Sequence, residues 1–117
     1  FAMLDAIGKN RKDEAFRLLH NMIRNGENTY RLLSTIASQM ELLLCVKEMR
    51  QEGKSPMEIK SELNVHELRI KKALAFSEKF NTIELRTILM NIYQVDNKIK
   101  TGLLDGEMAL EMMIAEI

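Results

Sequence analysis

Apolar residues recur along this chain at helical rather than strand spacing. Ala15, Leu18, Leu19, Met22 and Ile23 follow i, i+3, i+4, i+7, i+8, and Gly26 stands just beyond them as a C-terminal cap would. Asn28 or Thr29 can cap a second helix, which carries Leu33, Ile36, Ala37, Met40, Leu43 and Leu44 on one side and stops before Gly53. Residues 42–46 are apolar all round, which predicts a spine helix enclosed by neighbours in its middle. Ser55-Pro56-Met57-Glu58 is a capping box with proline at the first helical position. It predicts a short helix to Leu63, a turn at Asn64-Val65, and another helix to about Phe80. Asn81-Thr82-Ile83-Glu84 repeats that start signal and launches Leu85, Ile88, Leu89 and Ile92, with Asp96 and Ile99 on the same stripe. Beyond Gly102, Asp105 can cap a last helix bearing Leu110, Met113, Ile114 and Ile117. The opening stretch, Phe1 to Ile7, also reads as helix. The pattern predicts an all-α bundle of six to seven helices in one domain, residues 1–117, with no linker and no repeat.

Composition narrows the function. Lys plus Arg and Asp plus Glu number 17 each, so no net field draws the chain to nucleic acid or anionic membrane. The longest apolar run is far short of the roughly 20 residues that span a bilayer. One cysteine, Cys45, excludes an internal disulfide and suits a reducing, cytoplasmic setting; its place in the apolar centre of the spine predicts an inert core thiol. His20 and His66 have no acid or cysteine at ligand spacing along the chain, and no glycine-rich phosphate loop is present, so neither metal nor cofactor nor catalytic residue is expected. The chain opens at Phe1 in what reads as mid-helix, and the expectation is a fragment of something larger.

Three features could mark a surface. Ser55 to Phe76 has the outline of a helix-turn-helix, in which Arg69, Lys71 and Lys72 would meet DNA. Against it, residues 66–81 hold four Lys/Arg and two acids, a net +2, which is thin for reading phosphates. Nine methionines are many, and Met108 and Met112 would flank the apolar face of the last helix as candidate subunit contacts. Asp96, Lys100, Thr101 and Gly102 sit where one helix stops, with Lys100 at i+4 from Asp96. They read as a structural joint or interface edge, with Asp96 at least partly buried.

The order of these segments resembles a known family. The stretches FxxLDAI, RKDEAFRLLHNMIRNGENTYRLLSTIASQMELLL, PMEIKSELNVHELRIKKAL and Asp96-x-Lys98-Ile99-Lys100-Thr101-Gly102, followed by Ala109-Leu110-Glu111, are similar to the C-terminal part of the bacterial DNA polymerase III delta subunit. The resemblance implies a clamp-loader collar domain. Such a domain joins the delta prime and gamma/tau subunits in the assembly that loads the sliding clamp on DNA. It also implies that the clamp is met only by a missing N-terminal part, and that this part of delta carries no ATPase motor. On that reading the helix-turn-helix outline is a packing pair.

Overall fold

A computed structural model describes residues 2–116, the surroundings of residues 2, 4 and 8 excepted. Among the described residues seven helices follow one another: α1 (Ala2–Gly8), α2 (Lys12–Arg24), α3 (Thr29–Gln51), α4 (Pro56–Leu63), α5 (Glu67–Ser77), α6 (Thr82–Lys100) and α7 (Gly106–Glu116). No strand occurs among the described residues. Phe1 and Ile117, both assigned to helices by pattern, lie outside them.

The starts are built as the sequence indicates. Asn28, not Thr29, caps α3, accepting from the amides of Tyr30 and Arg31. At α4 the reciprocal box is complete: Ser55 Oγ accepts from Glu58 N, and the Glu58 carboxylate accepts from Ser55 N, each at 3.2 Å. Asn81 caps α6 by accepting from Glu84 N and Asp105 caps α7 by accepting from Met108 N, at 2.7 and 2.9 Å, each without the return bond of a full box among the described contacts. His66 caps α5 by accepting from Leu68 N, which accounts for one of the two histidines. Asn64 closes α4 in the left-handed region at φ 52°, which asparagine tolerates better than most residues.

Helix α3 is the spine, 23 residues and about 34 Å long at 1.5 Å per residue. Helices α5, α6 and α7 pack along it, and α1–α2 form a hairpin that docks on α7. The whole measures 41 × 26 × 23 Å. Leu19, Met40, Leu43, Ile59, Leu85, Leu110, Met113 and Ile114 are fully buried in one core.

Two expectations change here. Helix α5 ends at Ser77 rather than near Phe80. The Lys47 ammonium reaches from α3 to the Ser77 carbonyl at 2.8 Å, supplying a partner that the helix end would otherwise lack. The spine is also not enclosed all round: Leu43 and Val46 are buried, Leu42 and Leu44 are half-buried, and Cys45 is exposed. The five-residue apolar run outlasts the face that the neighbours cover, so the core-thiol reading of Cys45 is wrong.

Candidate interaction surface

The corner between α6 and α7 is a tight helix stop. Gly102 adopts φ 78°, and the amides of Gly102 and Leu103 turn back to the carbonyls of Ile99 and Lys98 at 3.0 and 2.9 Å. That conformation suits glycine because it has no Cβ to clash. Thr101 Oγ1 donates to the Asn97 carbonyl at 2.9 Å, so the last turn carries its own polar satisfaction. Asp96 and Lys100 pair at 2.7 Å as the i, i+4 spacing indicates, with 36% and 71% of their side chains still exposed. The buried stripe passes through Val95, between Ile92 and Ile99, and leaves Asp96 on its edge. An exposed pair of this kind contributes about 0.3–0.5 kcal/mol. Asp96→Ala should therefore lower the melting temperature by roughly 3 °C or less. A calorimetric drop of about 10 °C would mean that the carboxylate holds the corner together.

Apolar side chains gather around this corner and along the outer side of α6. Leu103 in the turn and Met108 on α7 are exposed, and Met112 is half-buried. On α6, Ile83 is 75% exposed, Met90 61% and Tyr93 50%. Their spacing, i, i+7 and i+10, places Ile83 and Met90 away from the buried stripe and Tyr93 on its flank toward α3. That signal lies in the sequence, where the stronger periodicity of the core stripe masks it.

Met90 and Tyr93 also line a groove of about 460 Å³ between α3 and α6. Leu44, Cys45 and Leu89 complete its apolar lining, while Glu41, Glu48 and Arg86 stand at its rim. The rim is ordered by two contacts across the helices: Arg86 pairs with Glu48 at 2.7 Å, and the Tyr93 hydroxyl donates to the Glu41 carboxylate. That hydrogen bond, followed by partial desolvation, holds the Tyr93 hydroxyl above the usual tyrosine range. The groove is open, apolar within and charged at its edge, the arrangement of a protein-contact surface rather than a reaction pocket.

Arg69, Lys71 and Lys72 are all exposed on α5, and Lys71 pairs with Glu67 at 3.8 Å. Leu68 shares that exposed side. An acid and a leucine among the three cations dilute any phosphate-binding stripe.

Across residues 1–117 the chain matches the family model described as DNA polymerase III delta subunit, C-terminal domain. The chain belongs to this family. It is similar to the DNA polymerase III subunit delta of Bacillus subtilis (strain 168), with 26% identity over 117 residues, covering 100% of this chain and 34% of that protein. The solved structure of the Bacillus subtilis DNA clamp loader delta protein superposes with a TM-score of 0.92 at 25% identity, over 97% of this chain and 34% of that one. The chain thus spans about a third of the length of these relatives. The fold is that of a delta C-terminal domain, and none of these comparisons supports the helix-turn-helix reading of α4–α5. Among the described residues, no helix is long and apolar enough to cross a membrane.

Proposed function

We propose that this domain is an assembly module of the bacterial clamp loader. It holds the delta subunit to its neighbours, the delta prime and gamma/tau subunits, in a collar, so that the whole complex can load the sliding clamp on DNA. The domain acts by burying helix faces, with no chemistry of its own. The observation that carries the reading is the open α3–α6 groove, with the exposed Met90 and Tyr93 of α6 in its lining. Single exposed apolar residues are ordinary on a protein surface; two in the lining of one open apolar groove are a patch. Met108 and Met112 extend the contact onto α7. Asp96, Lys100, Thr101 and Gly102 form its edge, where charge sets register and excludes wrong partners.

Mixing this domain with the corresponding domains of the other loader subunits, on a sizing column with light scattering, tests the proposal. A heteromeric peak is expected. Met90→Glu should weaken it by about tenfold or more, the loss typical of a well-packed interface side chain. Because Met90 is exposed, that variant should fold normally. Separate elution of the wild-type domains, repeated with full-length subunits, would overturn the reading.

A further inference from the structure

His20 has no ligand-spaced partner along the chain, but folding brings it two. The α2–α7 contact sets its imidazole Nε2 3.4 Å from a Glu111 carboxylate oxygen, 91 positions away. Glu107 precedes Glu111 by one helical turn, and one donor atom from each of the three residues falls within 4.8 Å of the others. We propose that His20, Glu107 and Glu111 form a binding site for a divalent transition metal, Zn²⁺ by donor chemistry, that ties α2 to α7.

Geometry supports the assignment. Two ligand atoms each about 2.1 Å from a tetrahedral ion stand about 3.4 Å apart, which matches the separation of His20 Nε2 and the Glu111 oxygen. The third donor needs only a rotation of an exposed glutamate side chain. An i, i+4 pair of glutamates on one helix presents both carboxylates to the same point. The His20 ring is steadied by stacking on Phe16, centroids 6.5 Å apart and planes at 25°. The charge is right as well: residues 103–117 carry Asp105, Glu107, Glu111 and Glu116 and no Lys or Arg, a net −4. One imidazole and two carboxylates suit Zn²⁺ better than Mg²⁺, which binds oxygen alone and keeps its waters. Three protein ligands leave a coordination position for water. Because the site is half-exposed, the ion is exchangeable and its role is to clamp.

This inference is independent of the assembly reading. A plain ion pair between His20 and Glu111 is the competing account, and Glu107 separates the two, since the pair does not need it. Titration of the 117-residue chain with ZnCl₂ by calorimetry should give one saturable ion per chain. Added Zn²⁺ should raise the melting temperature, EDTA should reverse the rise, and Mg²⁺ should not reproduce it. His20→Ala, Glu111→Ala and Glu107→Ala should each weaken binding by at least the roughly 10–100-fold that loss of a metal's supporting residue costs. His66→Ala should bind as the wild type does. Glu107 is exposed, so its variant keeps the fold and the test intact. Absence of saturable binding, wild-type affinity in Glu107→Ala, or an equal loss in His66→Ala would each overturn the site.

Discussion

Gly106→Ala should destabilise the domain by about 1–3 kcal/mol, the usual cost of overpacking a tight contact. At an exposed helical position the same change is favourable, by up to about 1 kcal/mol, because alanine is the better helix former. Here the sign reverses. Gly106 opens α7 and is buried against the start of α3. A Cβ at that point would lie 2.0 Å from Thr29 Oγ1 and 2.7 Å from Thr29 Cβ. Neither atom is the free end of a long side chain, so one helix has to move. Thr29→Ala removes the hydroxyl but keeps the second contact. The double variant should therefore regain part of the lost stability, non-additively, in urea denaturation. A Gly106→Ala variant as stable as the wild type would show that α3 and α7 do not meet this closely.

One turn further along α7, Leu110→Ala should cost more, about 2–5 kcal/mol, because truncation in a close-packed core forfeits transfer energy and leaves a cavity. Leu110 is fully buried on the helix that meets α2, α3 and α6 together. Against a total stability of about 5–15 kcal/mol for an ordinary domain, this is a large fraction. The denaturation midpoint should fall with little change in slope. Met112→Ala, on the half-buried flank, should cost distinctly less. If the two variants lost equal stability, α7 would be rotated from its described register.

What the sequence made legible was chiefly local. Capping residues announce themselves within four positions, and Asn28, Ser55, Asn81 and Asp105 all start helices by accepting backbone amides. What it concealed was tertiary. Cys45 and Leu43 look alike in an apolar run, and only the placement of α5, α6 and α7 decides which is covered. Asp96 and Val95 both fit a helical stripe at the end of α6, and the packing chose Val95. The groove, the close approach at Gly106 and the partners of His20 each join helices distant in sequence, so no spacing rule reaches them. The family resemblance implied the fold that the structure and the relatives bear out.

The α1–α2 hairpin docks on α7, and Lys12 on α2 donates to the Ala115 carbonyl near the far end of the chain. In time rather than space, this means the hairpin is made long before its partner. At a synthesis rate of about 5–20 residues per second, α2 waits roughly 5–20 seconds for α7 to leave the ribosome. Through that interval the buried face around Leu19 has no α7 to cover it. The α3–α5 pairing needs no α7 and can gather meanwhile, and α6 and α7, made one after the other, then close the domain over it.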